Sequence, residues 1–224
     1  MSDRPIRLIL IEDEQLLAQT LAAWIQRQPD LELVGSATEG EEGYRLYQQT
    51  IPDLVLTDIE VPNVDGLQLA RRILEQEQPA RVLAMSGMSD PYTIWRVRQS
   101  GIHGYVDKTQ NAAVLMEAVR KVGRGGTYFS EVFEQVKKDW LAQPEAFHKI
   151  LSEREQQVLQ CVVNGCDDKS IAKRMGISVA TVAVHRKHVR QKLELHNDRE
   201  LVAYARRWGL SNVSELPCRN SQCQ

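Results

Sequence analysis

The feature that most constrains the fold is a regular alternation of short apolar runs and longer helical patterns over the first half of the chain. The apolar runs occupy 6–11, 31–34, 54–57, 81–85 and 104–106. Stretches with apolar residues three and four positions apart, the spacing of a helix face, occupy 15–28, 41–50, 67–77, 91–100 and 112–122. Because parallel strands are joined by crossover helices, this order predicts five strands in a parallel sheet with helices on both faces, a doubly wound α/β domain.

The pattern breaks between 123 and 151, where Gly123, Gly125 and Gly126 begin a segment with a helical stretch near 128–141. From Ser152 onward only helical patterns remain. A capping box, Ser152 with Glu155, opens the first of them, and further helices are expected near 169–175, 179–193 and 199–208. We therefore predict four regions: a regulatory α/β domain at 1–124, a partly helical linker at 125–147, a small all-α domain at 148–216 and a tail at 217–224.

The overall charge of −2 conceals an uneven distribution. Residues 1–124 carry 13 Lys and Arg against 18 Asp and Glu, whereas residues 148–216 carry 12 against 8. An acidic first half and a basic second half suit a regulatory domain attached to a polyanion-binding one. The sequence shows neither a signal-peptide pattern nor an apolar run of the length of a membrane span, so a cytoplasmic protein is expected.

The predicted strands deliver polar residues to one edge of the sheet. Glu12 and Asp13 follow the first strand, Asp58 the third and Ser86 the fourth, and Lys108 comes after the fifth. Each of them alone is more often a cap, a turn residue or a solvated charge, but in open α/β sheets chemistry gathers at the carboxyl ends of the strands. Crowded carboxylates imply a cation, and oxygen ligands favour Mg²⁺. With a nearby lysine, such a site can form an aspartyl phosphate.

In these features, and in Pro62 and Asp65-Gly66 after the central Asp58, residues 6–122 resemble the receiver domain of two-component systems. The resemblance implies the strand order 2-1-3-4-5 and a cognate sensor histidine kinase. It also implies a role for each site residue: Asp58 as phosphoacceptor, Glu12 and Asp13 with Asp58 and the backbone carbonyl of Glu60 as Mg²⁺ ligands, Lys108 as ion-pair partner, and Ser86 and Tyr105 as the switch pair. Val61 departs from the methionine usual in the family.

The second half contains a helix-turn-helix pattern. Ala172 is small where two helices cross, Gly176 supplies the turn, Ser178 caps the next helix and Val182 begins its inward face. The other face of that helix predicts contacts with phosphates and base edges. The predicted DNA-binding residues are Thr181, Ala183, Val184, Lys187, Arg190 and Lys192.

Residues 151–210, from Leu-Ser-Glu-Arg-Glu through Ile171-Ala172 and Thr181-Val182 to Lys192-Leu193, resemble the NarL/FixJ (LuxR-type) module. This resemblance implies a four-helix unit that binds double-stranded DNA, and a homodimer on phosphorylation. Together the two halves imply a phosphorylation-controlled transcription regulator rather than an enzyme.

Three other interpretations fit the residues less well. Asp58-Ile59-Glu60-Val61 resembles the nucleophile loop of haloacid-dehalogenase-like phosphatases, but Glu60 is a poor substitute for the second aspartate of that loop. A flavodoxin-like flavin site conflicts with Glu12-Asp13-Glu14, which would repel the phosphate. A receiver that no longer responds to phosphorylation is disfavoured by the complete set of pocket residues.

Overall fold

The computed structural model describes residues 4–77, 79–87, 89–142, 147–208 and 210. The described residues form two compact units, one of 4–89 with 93–136 and the other of 137–210 with 90–92. The predicted tail at 217–224 lies outside the described residues. Within the described ranges, every helix is too short or too polar to cross a lipid bilayer.

The first unit is built mainly from alternating strands and helices, and the prediction of a parallel α/β fold is confirmed. Its strands are β1 (Ile6–Ile11), β2 (Leu31–Ala37), β3 (Leu54–Asp58), β4 (Arg81–Ser86), β5 (Gly104–Asp107) and β6 (Tyr128–Phe129). Its helices are α1 (Gln15–Gln26), α2 (Gly40–Thr50), α3 (Gly66–Leu74), α4 (Pro91–Ser100) and α5 (Ala112–Gly123), and α6 (Glu131–Ala142) begins in it.

The sheet order is β2-β1-β3-β4-β5-β6, with each neighbouring pair parallel. The first five strands follow the order that the receiver resemblance implied. The prediction of five strands is corrected to six in the described part of the chain. The additional strand, β6, lies in the stretch that was predicted as linker. Two residues are too short a run to show strand periodicity in the sequence.

Residues that alternate along each strand face opposite sides of the sheet. In β1, Ile9 and Ile11 join a core cluster with residues of α2, α3 and α4, whereas Leu8 and Leu10 join a second cluster with residues of α1 and α5. All four are fully buried. The central strands β1, β3 and β4 are therefore mostly apolar, because both faces of the sheet are covered there.

The second unit contains, besides the end of α6, the helices α7 (Phe147–Ile150), α8 (Glu153–Val163), α9 (Asp168–Met175), α10 (Val179–Lys192) and α11 (Asp198–Arg207). The predicted caps are confirmed. Ser152 and Glu155 form a capping box at α8, Gly176 ends α9 with φ of 65°, and Ser178 accepts a hydrogen bond from Thr181 at the start of α10. These caps hold α9 and α10 as a helix-turn-helix.

Candidate functional sites

The predicted acidic residues come together at the carboxyl edge of the first unit's sheet. Carboxylate oxygens of Glu12, Asp13 and Asp58 lie within 4.8 Å of one another. Glu12 and Asp58 are buried at 1% and 4% exposure, whereas Asp13 is exposed. The ends of β1 and β3 place them there because these strands are hydrogen-bonded neighbours.

Lys108 lies between two of these carboxylates. Its Nζ donates to Asp58 Oδ2 at 2.7 Å and to Glu12 Oε1 at 3.0 Å. Burial alone would lower the pKa of Lys108, but the hydrogen bonds from its ammonium to Asp58 and Glu12 outweigh it and raise that pKa. For Glu12, burial raises the pKa despite Lys108, and the charge of Asp58 adds to the rise.

The charges of the pocket fit a divalent cation. The pocket contains three carboxylates, and the one ammonium, that of Lys108, pairs with Glu12 and Asp58, which leaves an excess of negative charge. The raised pKa of Glu12 reflects its buried position. All the side-chain donors are hard carboxylate oxygens, the ligands that Mg²⁺ prefers. The backbone N–H of Glu60 donates to Asp58 Oδ1 at 3.1 Å, which places the Glu60 peptide beside the carboxylate.

The loop that follows Asp58 is packed tightly against it. A Cβ on Gly66 would lie 2.0 Å from the carbonyl oxygen of Asp58, so only glycine fits there. Asp65 caps α3 through the N–H groups of Leu67 and Gln68, and it forms an ion pair of 3.0 Å with Arg96 of α4. The sequence pattern did not single out Arg96, since its partner is 31 positions away.

The two predicted switch residues are both buried. Ser86 is 1% exposed at the end of β4, and Tyr105 is fully buried in β5. An added Cβ on Gly87, next to Ser86, would have no atom within 4 Å, so there is open space beside Ser86. Tyr105 thus occupies an inward position, with its hydroxyl 3.2 Å from Ser89 Oγ.

The predicted DNA-binding residues fall into two groups on α10. Ala183, Val184 and Lys187 are exposed, and no described residue forms an ion pair with Lys187. Thr181 is half-buried, and its hydroxyl lies 2.8 Å from that of Ser178. Ala183, Val184 and Lys187 are thus among the exposed positions of α10, and Thr181 lies in its first turn.

The other two predicted contacts are engaged within the domain. Arg190 forms an ion pair of 3.1 Å with Asp198 of α11, and Lys192 one of 2.8 Å with Glu155 of α8. Arg186, which the sequence pattern did not single out, bridges Asp168 and Asp198 at 2.5 and 2.6 Å. These cations join neighbouring helices, so any phosphate contact that they make is shared with an internal partner.

Glu155 ties the first turn of α8 to the last turn of α10. Burial alone raises its pKa, but hydrogen bonds from Lys192 and Ser152 outweigh this and hold the pKa below its ordinary value. Its contribution to stability is therefore present above the ordinary carboxyl pKa and is lost as the pH falls through the lowered value. We expect Glu155→Gln to destabilise the domain by about 1–2 kcal/mol at neutral pH, mainly through loss of the charged hydrogen bond to Lys192, since glutamine can still complete the capping box.

Hydrogen exchange of the α8 amides in the full chain, measured against pH, tests this expectation. The wild type should lose protection on acidification, whereas Glu155→Gln should start lower and vary less. Glu153→Gln, an exposed acid in the same helical turn, is the matched control. Equal pH dependence in the wild type and Glu155→Gln would contradict the assignment.

A doubly wound domain with this acidic pocket, followed by a helix-turn-helix unit, defines the class of signal-receiving DNA-binding regulators. The family model of the response regulator receiver domain matches residues 8–120, and that of the luxR family of bacterial regulatory proteins matches 149–205. The chain belongs to the response regulators with a luxR-type DNA-binding domain and is a transcription regulator of the two-component type.

Relatives match over nearly the whole chain. The transcriptional regulatory protein LiaR of Bacillus subtilis is 29% identical over 210 residues, covering 92% of this chain and 100% of the relative. The response regulator VraR of Staphylococcus aureus is 26% identical over 201 residues, covering 89% and 96%. Both are therefore similar to this chain across the receiver and the luxR-type domain.

Solved structures agree with this assignment. The response regulator ChrA of a heme-sensing two-component system matches with a TM-score of 0.55 and 26% identity, covering 92% of this chain and 98% of that one. RcsB of Salmonella enterica serovar Typhimurium, bound to a promoter in the presence of the phosphomimetic BeF₃⁻, matches with a TM-score of 0.63 over 90% and 98% of the two chains. At 20% identity, the likeness to RcsB supports the fold alone.

Proposed function

We propose that a sensor histidine kinase phosphorylates Asp58 and that this modification controls dimerisation and operator binding by the C-terminal domain. The observation that carries the proposal is the convergence of Asp58, Glu12, Asp13 and Lys108 in a domain joined to a helix-turn-helix. The receiver occupies 1–124, the linker 125–147 and the DNA-binding domain 148–216. A regulator of this kind acts in the cytoplasm, where the kinase's phosphodonor domain and the DNA are both accessible.

In the proposed reaction, a carboxylate oxygen of Asp58 attacks the phosphorus of the donor, forming an O–P bond as the donor's N–P bond breaks. Glu12, Asp13, Asp58 and the carbonyl of Glu60 would hold Mg²⁺, which offsets negative charge on the phosphoryl oxygens when bound. Lys108 supplies a further positive charge, 2.7 Å from Asp58 Oδ2. The protein promotes only the phosphorylation of its own Asp58 and the hydrolysis of the resulting aspartyl phosphate. It is not an enzyme acting on a separate substrate.

The switch would act as a population shift. The phosphoryl group binds better to the state in which Ser86 and Tyr105 are turned inward, and that state favours a homodimer whose two α10 helices contact double-stranded DNA. On α10 the proposed contacts are Thr181, Ala183, Val184 and Lys187, with Arg190 and Lys192 contributing charge near the phosphates.

The experiment that tests the proposal is light scattering and DNA titration of the full chain with and without beryllofluoride and Mg²⁺. We expect beryllofluoride to raise the dimer fraction and to tighten binding to a duplex selected by the protein from genomic fragments. Beryllofluoride with Asp58→Asn is the control and should change neither. If the wild type is also unchanged, a receiver that does not respond to phosphorylation is the better interpretation.

A further inference from the structure

The segment that leaves the receiver toward the second unit is built into the edge of the sheet. Tyr128 and Phe129 pair in parallel with Gly104 and Tyr105. The N–H of Ser130 donates to the carbonyl of Tyr105 at 3.1 Å, which extends the pairing. An added Cβ on Gly104 would lie 2.7 Å from the Tyr128 carbonyl oxygen, so glycine permits this close approach.

The first turn of α6 covers the predicted switch aromatic. Phe133 is 1% exposed, and its ring centroid lies 5.2 Å from that of Tyr105 and 4.8 Å from that of Phe129. Its neighbour Val132 is 43% exposed, so the packing is specific to one face of the helix. The inward side chain of Tyr105 therefore packs directly against the docked segment, through Phe133.

A chain of hydroxyl groups joins the same two elements. The hydroxyls of Ser89 and Ser130 both donate to the buried carboxylate of Asp107, Ser130 at 2.6 Å. Since the single proton of Ser89 is used there, the Tyr105 hydroxyl donates to Ser89 Oγ. Ser130 Oγ also accepts from the N–H of Phe133 at 3.2 Å, as an N-cap residue does.

These hydrogen bonds adjoin the phosphorylation pocket in the sequence. Asp107 accepts the bonds from Ser89 and Ser130, and the next residue, Lys108, donates to Asp58. The N–H of Lys108 donates to the carbonyl of Ser86 at 2.9 Å. Lys108, which contacts both Asp58 and Ser86, is therefore the direct neighbour in sequence of Asp107, the residue that binds Ser130 of the linker.

From these contacts we propose that Ser130 and Phe133 are positioning residues for the phosphoryl switch. Docking of residues 128–136 holds Tyr105 inward, so linker docking and phosphoryl binding stabilise each other. Such linkage is reciprocal: whatever favours the docked linker also favours the phosphorylated receiver, and the converse. The inference rests on the proposed function, because it assumes that the phosphoryl group prefers the inward state of Tyr105.

Beryllofluoride affinity of the full chain, in the presence of Mg²⁺, is the readout, since a purely structural role for the linker would not change it. We expect Ser130→Ala and Phe133→Leu to weaken this affinity by about tenfold, within the usual range of allosteric coupling. Val132→Ala, exposed on the same helical turn, and Ser100→Ala, which loses another buried hydroxyl bond, are matched controls. In the wild type, beryllofluoride should slow hydrogen exchange of residues 128–136.

The outcomes separate this inference from the proposed function. If the wild type binds no beryllofluoride, the proposed function fails, and this inference fails with it. If the wild type binds and both folded linker variants bind equally well, only the linkage is overturned. Faster exchange of 128–136 with beryllofluoride would also overturn it, because phosphorylation would then release the linker.

Discussion

Asp58→Asn is expected to abolish phosphorylation of this protein by acetyl phosphate and Mg²⁺, from one phosphate per chain to none. The asparagine side chain would keep the size of the aspartate but lose the anionic oxygen that attacks phosphorus. The ion pair with Lys108 would also be lost, but so would a negative charge that adds to the rise in the pKa of Glu12, which burial mainly causes. We therefore expect the variant to remain folded, so that the loss of labelling reports on chemistry.

Mass spectrometry of the intact chain and of its peptides measures this result. Asp53→Asn is the matched control, since Asp53 is a carboxylate of the same unit that pairs with Arg4 at 2.7 Å instead of with Lys108. It should be labelled like the wild type. Undiminished labelling of Asp58→Asn, or a phosphate mapped to another residue, would place the phosphoacceptor elsewhere. Turnover of a small phosphate ester by the wild type would instead favour the phosphatase interpretation.

The second large effect is expected at Lys187. Among the cations predicted to contact DNA, Arg190 and Lys192 have internal carboxylate partners, whereas no described residue pairs with Lys187. Its charge is therefore fully available to DNA. We expect Lys187→Ala to weaken binding to the selected duplex by roughly 1–3 kcal/mol if the side chain makes a good base contact.

A salt series on selected and scrambled duplexes separates base contacts from phosphate contacts. A base contact affects mainly the selected duplex, whereas a phosphate contact affects both and lowers the salt dependence by about one unit. Lys138→Ala, which removes an exposed lysine of α6, is the control and should change neither affinity. Ala183→Lys should act in the opposite direction, with tighter binding to many sequences and a salt dependence steeper by about one unit. If Lys187→Ala binds both duplexes like the wild type, α10 does not lie in the major groove as proposed.

Much of the fold was predictable because its signals are local. The short, mostly apolar runs follow from a sheet covered on both sides, and the caps at Ser152, Gly176 and Ser178 depend on residues within four positions. The convergence of Glu12, Asp58 and Lys108 was predictable for a related reason. Parallel strands end at the same edge, so a residue at the end of each strand must lie there.

The sequence by itself thus determined the fold class, the acidic pocket and the helix-turn-helix. Only the tertiary structure decided which long-range partner each polar side chain takes. Arg190 and Lys192 are bonded to Asp198 and Glu155, and Ser130 reaches Asp107, 23 positions earlier in the chain. Periodicity reports which face of an element is buried, but these partners depend on how separate elements pack, and that packing leaves no pattern in the local sequence.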